Sequence, residues 1–172
     1  MRGLLGQFGP AVVLSIVVAI GTLIAVVSSV RRSTDRATAW RVAARIVAVG
    51  SLLVIVAATA LPRTFTEGRE LVLEIGGASL GDLADYLANP RSFESVLLVL
   101  NVAMYAPLAF GATVGWPRLR AAVVPLCLAL SVAIEASQYL LTERAATTDD
   151  VILNGTGALI GWLLGMVALR RL

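Results

Sequence analysis

The 172-residue chain is 58% apolar and only 15% charged, with a mean hydropathy of +0.87. Soluble domains carry about 25% charged residues, so this inventory cannot clothe a water-facing surface and points to an integral membrane protein. There is no histidine, one cysteine (Cys127), and a net charge of +3 carried by fourteen arginines against eleven acids. Ser-His-Asp and Cys-His catalysis, imidazole-bound zinc and a histidine pH switch are thereby excluded. A disulfide framework and a thiolate metal cluster are excluded with them. The arginines gather at the ends of apolar runs, which is a topology signal rather than a nucleic-acid footprint, and no nucleic-acid partner is expected.

Five apolar stretches have the ~20 residues a helix needs to cross a bilayer core. They run Pro10–Val30, Val42–Leu61, Ser95–Gly115, Leu119–Leu141 and Val151–Leu169. The first follows Arg2 as a signal peptide would. It is too long for a signal core and ends in Arg31-Arg32, so it reads as a membrane anchor. Arg45 lies one turn inside the second span and has the reach to snorkel to the near surface. Between the second and third spans lies Pro62–Glu94, the longest non-spanning segment. Ser79-x-x-Asp82 has the pattern of a helix cap, and Leu80, Leu83 and Leu87 share a helical face. A short interfacial helix is expected there, ended by Asn89-Pro90. Leu71-Val72-Leu73 fits either an extended piece or a shallow re-entrant turn. Pro107 and Pro125 read as kinks inside spans.

The fold expected is an all-α membrane bundle of about five transmembrane helices with a short extracytoplasmic helix, forming a single transmembrane domain over residues 1–172. Arg31, Arg32, Arg36, Arg41, Arg118, Arg120, Arg170 and Arg171 fall on one side of a five-span chain. Glu67, Glu70, Glu74, Asp82, Asp85, Glu143, Asp149 and Asp150 fall on the other. The positive-inside bias then puts the N-terminus outside and the C-terminus in the cytoplasm.

Polar residues inside the spans are the informative ones. Glu135 is a carboxylate well within an apolar helix, where a central charge costs about 3 kcal/mol on insertion scales. Ser131, Glu135 and Gln138 follow i, i+4, i+7 spacing on one face. Asn101 and Tyr105 are one turn apart in the third span. In the fifth span Asn154 leads a small-residue stripe through Gly157 or Ala158, Gly161 and Gly165, which lets helices approach closely. At about 1.5 Å rise per residue, Asn101, Glu135 and Asn154 fall within roughly 5–9 Å of the outer interface. Arg144, Asp149 and Asp150 sit in the loop above. A polar cavity opening outward between spans three and five follows. Plainer readings stand beside it. Asn101 and Asn154 serve equally as interhelical hydrogen-bond glue. Asp149 or Asp150 serves as a helix cap. Tyr105 and Trp162 read as packing residues, and Glu135 as a protonated or Arg144-paired structural carboxyl.

The motif set is Asn101-x-x-x-Tyr105-x-Pro107-Leu108-x-x-Gly111, then Ile134-Glu135-x-x-Gln138, then Arg144, then Asp149-Asp150-x-x-x-Asn154-x-x-Gly157. It resembles the VanZ-like family of small bacterial membrane proteins, and residues 95–172 would be its core. Tyr105 replaces the family's phenylalanine, Ala109 its glycine, and Thr147 the first acid of its Arg-x-x-Asp-x-Asp-Asp segment. The family's Asn-Leu-x-Pro-Phe-type loop is not visible in Pro62–Glu94. The family is named for a protein linked to low-level resistance to the glycopeptide teicoplanin. The resemblance implies a multi-pass protein of the bacterial cytoplasmic membrane concerned with the cell envelope and antibiotic resistance.

Three functions compete. In the first, Asn101, Tyr105, Glu135, Gln138, Arg144, Asp149, Asp150 and Asn154 bind the head of a lipid, a lipid-linked glycan or a lipophilic glycopeptide. In the second, Glu135 is the general acid or base of an enzyme acting on an envelope lipid headgroup. In the third, the chain is a structural subunit of an envelope complex. A transporter is disfavoured, because no inverted repeat is visible. No cofactor is expected. Oxygen ligands alone would admit only a hard cation such as Mg²⁺ or Ca²⁺. The partner that the composition implies is the lipid bilayer, and the oligomeric state is left open.

Overall fold

The computed structural model describes residues 15, 17–28, 30, 31, 35–60, 71–76, 93–141 and 146–172. Four helices are long and apolar enough to cross a membrane, and a shorter apolar helix, α1 (Val17–Ser28), precedes them. These four are α2 (Arg36–Ala60), α3 (Phe93–Gly115), α4 (Val123–Leu141) and α5 (Thr148–Leu169). The protein is an all-α, multi-pass membrane protein. α1 lies within the predicted first span. The predicted interfacial helix after Ser79 falls outside the described residues, as do Glu67, Glu70, Asp82 and Asp85.

The helix ends follow capping chemistry more closely than hydropathy. α2 begins six residues before its predicted span. Asp35 explains this, since its carboxylate accepts the backbone N–H groups of Ala37 at 3.3 Å and Thr38 at 2.9 Å. Those are N–H groups a helix start leaves unpaired. α4 begins later than predicted, because Pro117–Leu119 forms a 3-10 turn. Pro125 therefore sits in the first turn of α4, where a missing N–H costs nothing, and it is not a kink. Pro107 does lie inside α3.

In cross-section the helices run α2, α3, α5, α4, with α3 packed most heavily on α5 and then on α2. Small residues set this order. A Cβ on Gly157 would meet the carbonyl oxygen of Val102, and one on Gly161 that of Ala106. The α3 and α5 backbones are thus in direct contact, as the small-residue stripe predicts. On the other face of α3, a Cβ on Gly111 would lie 2.6 Å from the Ala44 oxygen and 2.7 Å from the Ala48 nitrogen. By contrast, Gly21 in α1 has nothing within 4 Å of its Cβ position.

The connections bring like charges together. Arg36, Arg41 and Arg45 at the start of α2 lie at the end of the bundle that holds Gly115, Arg118 and Arg120. The bonds are Arg45 Nε to the Gly115 oxygen at 2.9 Å, and Trp162 Nε1 to the Arg120 oxygen at 2.8 Å, which brings in the C-terminal half of α5. At the opposite end, Leu71–Val72 is extended and pairs in parallel with Ala146–Thr147, Leu71 against Ala146 and Val72 against Thr147. We call these two-residue strands β1 and β2. The segment Leu71-Val72-Leu73 is therefore extended rather than re-entrant.

Candidate functional site

The site is built where α3, α4 and α5 meet beneath the β1–β2 pair. The buried residues of α4 are Val123, Cys127, Ser131, Glu135 and Gln138. They form one stripe at helical spacing, apolar toward the arginine end and polar toward the acidic end. α5 answers with Asp149, Asn154 and the glycines on its own buried face. α3 contributes Tyr105, which is 1% exposed, and the partly buried Asn101.

The polar groups resolve into two levels. At the upper level the Asn101 amide donates to Asp150 Oδ1 at 2.7 Å. Glu135 Oε2 accepts the Thr147 backbone N–H at 3.1 Å. A buried carboxylate is thus held by a backbone donor of the β2 strand. Asp149, 1% exposed, accepts the Gly76 N–H at 2.9 Å. Gly76 has φ of 80°, a left-handed conformation that glycine adopts without strain. The Thr148 hydroxyl donates to the Leu73 oxygen at 3.1 Å. These bonds fasten residues 71–76 across the mouth of the helix bundle.

One turn deeper, the Asn154 amide donates to Ser131 Oγ at 2.9 Å. Asn154 thus lies below Glu135 rather than level with it, because its partner is the residue one α4 turn beneath. The Tyr105 hydroxyl faces Ser131 without meeting hydrogen-bond geometry, and it feels the charge of Glu135. Two buried polar atoms at this level have no hydrogen-bond partner among the described residues, Tyr105 Oη and Asn154 Oδ1. One is able to donate and the other to accept.

Asn101, Tyr105, Glu135, Gln138, Asp149, Asp150 and Asn154 are therefore gathered at one end of the bundle. Arg144 lies outside the described residues. The cap of α5 is Thr147, whose hydroxyl accepts the Asp150 N–H at 3.1 Å, and not Asp149 or Asp150. The two aspartates occupy the first turn, where negative charge meets the positive end of the helix. No group of three acidic or thiol side chains converges among the described residues. Sequence reasoning missed Gly76 and the Thr147 N–H. The Gly76-Gly77 pair was a turn signal, but nothing local says that it folds onto Asp149.

This arrangement sits inside a region that a known family model covers almost end to end. The model described as VanZ/LLP1 matches residues 11–169. The chain belongs to the VanZ/LLP1 family. The VanZ/LLP1 match extends well beyond the Asn101–Gly157 motif set, taking in α1, α2 and the β1 segment. No curated protein and no solved structure matches the chain. The VanZ/LLP1 assignment therefore rests on the family model together with the motif spacing that α3, α4 and α5 bring into contact.

Proposed function

We propose that this VanZ-like protein sits in the bacterial cytoplasmic membrane, N-terminus outside and C-terminus inside, and binds the polar head of an envelope molecule at its acidic, outward end. The ligand class is a lipid, a lipid-linked glycan or a lipophilic glycopeptide antibiotic. The observation that carries the reading is the pair of unpartnered buried atoms, Tyr105 Oη and Asn154 Oδ1. Each unsatisfied polar group in a buried site costs about 1–3 kcal/mol. A ligand hydroxyl or amide seated between α3 and α5 offsets that cost. Asn101, Gln138, Asp149 and Asp150 lie at the same end of the bundle.

The test is binding of teicoplanin, and separately of a total extract of host-membrane lipids, to the purified chain. Wild type is expected to be stabilised thermally by one of them. Tyr105→Phe removes one donor and should weaken that effect about tenfold, which corresponds to roughly 1.4 kcal/mol. Equal binding by the phenylalanine variant would refute the reading.

A second reading is favoured by Glu135, a membrane-embedded carboxylate 8% exposed and within electrostatic reach of the Tyr105 hydroxyl. In that reading it moves a proton during hydrolysis or transfer at a lipid headgroup. Glu135→Gln separates the two. A general acid or base is worth about 10²–10⁴-fold, so the amide would leave almost no activity. A carboxylate that only accepts the Thr147 N–H keeps its acceptor in the amide, and binding survives in part.

A further inference from the structure

The bundle has a second polar feature at its other end, and the envelope-binding reading does not use it. A pocket of about 500 Å³ opens there, lined by Arg41, Arg45, Trp116, Pro117, Arg118 and Leu119 among others. That volume is within the range of small-molecule sites. Three guanidinium groups border it, and none of its lining residues is acidic. The acid nearest in sequence, Asp35, is engaged with the Ala37 and Thr38 N–H groups of its own helix start, although it also feels the charge of Arg41.

Arg45 is held before any ligand arrives. Its Nε donates to the Gly115 oxygen at 2.9 Å, and its guanidinium carbon lies 5.7 Å from the centre of the Trp116 ring. Gly115 is itself fitted to this arrangement, since a Cβ there would meet Arg45 Cγ at 2.8 Å. The terminal nitrogens of Arg45 have no partner among the described residues. A planar guanidinium anchored by one nitrogen and stacked on an indole presents its remaining donors in a fixed fork, the geometry that suits a phosphate. The rest of the lining is apolar. Trp116 is 37% and Leu119 53% exposed at the boundary of a membrane span. Indoles at that depth lie level with lipid headgroups.

We propose that this pocket binds the phosphate of an anionic phospholipid of the leaflet at the arginine end. Arg45 is the oriented contact, Arg41 and Arg118 supply flanking charge, and Trp116, Pro117 and Leu119 face the glycerol and upper acyl region. A soluble phosphate would satisfy the arginines but leave that apolar wall uncovered, which is why a lipid is the source favoured.

The experiment is native mass spectrometry of the full chain in detergent. It is titrated in separate arms with phosphatidylglycerol, with phosphatidylcholine, and with phosphatidylglycerol in the presence of inorganic phosphate. One phosphatidylglycerol should be retained per chain, at least tenfold more tightly than phosphatidylcholine, and millimolar phosphate should not displace it. Arg41→Gln with Arg118→Gln should lose that preference while circular dichroism stays unchanged. Arg45→Lys, which keeps charge but not the fork, should lose most of it. Arg170→Gln with Arg171→Gln, outside the pocket at the same end, should keep it. Equal retention of both lipids would overturn the proposal, as would full retention by the Arg41/Arg118 variant. An equal loss in the Arg170/Arg171 variant would assign the effect to diffuse surface charge. Displacement by inorganic phosphate would assign the pocket to a soluble anion. None of these results bears on the acidic end, so the two proposals fail separately.

Discussion

The two ends of the bundle handle polarity in opposite ways. At the acidic end, polar side chains turn inward and bind one another or the backbone across three helices and a connecting segment: Asn101 to Asp150, Glu135 to Thr147, Asp149 to Gly76, Asn154 to Ser131. At the arginine end, Arg45 and Trp162 each donate to a single backbone carbonyl, and the arginines bordering the pocket are exposed. Burial explains the difference. A polar group left without a partner between tightly packed helices is costly, and among the described residues only Tyr105 Oη and Asn154 Oδ1 are left so, whereas one at a span boundary reaches water. The acidic end is thus positioned by packing among the helices, while the arginine end presents its charges at the span boundary.

If packing positions the acidic end, widening the α3–α5 seam should destroy it. Gly161→Val is expected to cost at least the roughly 3 kcal/mol at the top of the overpacking range, because the first added atom meets backbone that cannot rotate away. Gly21→Ala, in open space, is expected to be neutral or slightly stabilising through helix propensity. Unfolding in a denaturing detergent series would measure both. A tolerated Gly161→Val would break the comparison.

Asp149→Ala should cost about 1–3 kcal/mol, because it leaves the Gly76 N–H without its buried acceptor. The expected signature is proteolytic cutting within residues 71–76 while the helices stay intact. Global unfolding instead would mean that Asp149 supports the bundle rather than its cover. At the arginine end, Arg45→Met should cost only about 1 kcal/mol, since the bond is partly exposed and the methionine still packs on Trp116. A larger loss than for Asp149→Ala would reverse the ranking of the two ends. A double-mutant cycle on Asn154→Ala and Ser131→Ala should give a coupling near 0.6 kcal/mol, typical of interhelical hydrogen bonds in membranes. The smallest effect concerns Asp35. The Thr38 hydroxyl and then its backbone N–H hold this carboxyl below its ordinary value of 3.8. Its support for the start of α2 is therefore present above that pH and fades as pH falls through the lowered value. Asp35→Asn should flatten whatever acid-side dependence of α2 fraying hydrogen exchange detects.

Much of this was legible in the sequence for identifiable reasons. Glu135 with Ser131 and Gln138 at helical spacing announced a buried face, because carboxylates do not face lipid without cause. The glycine stripe after Asn154 announced a close seam. Helix starts were less legible, because hydropathy marks where lipid begins and not where Asp35 or Thr147 satisfies a free N–H. The separation of Asn154 from the level of Glu135 was hidden for a related reason. Counting residues from a span boundary fixes height only to about a turn, and the choice of Ser131 as partner depends on how α4 and α5 slide past each other. The parallel pairing of Leu71–Val72 with Ala146–Thr147 had no local signal, since strands of two residues carry no periodicity.

That pairing also imposes an order in time. The Thr148 hydroxyl bonds to the oxygen of Leu73, 75 residues earlier in the chain. During synthesis the 71–76 segment emerges with β2 and α5 still unmade, and no helix made so far offers it these partners. It must wait while α3 and α4 enter the bilayer, because long-range contacts form only after the intervening chain is in place. The acidic end therefore cannot close until β2 and the start of α5 are made. A released chain ending before residue 146 would still have both partners of the Arg45–Gly115 bond but none of those that hold residues 71–76.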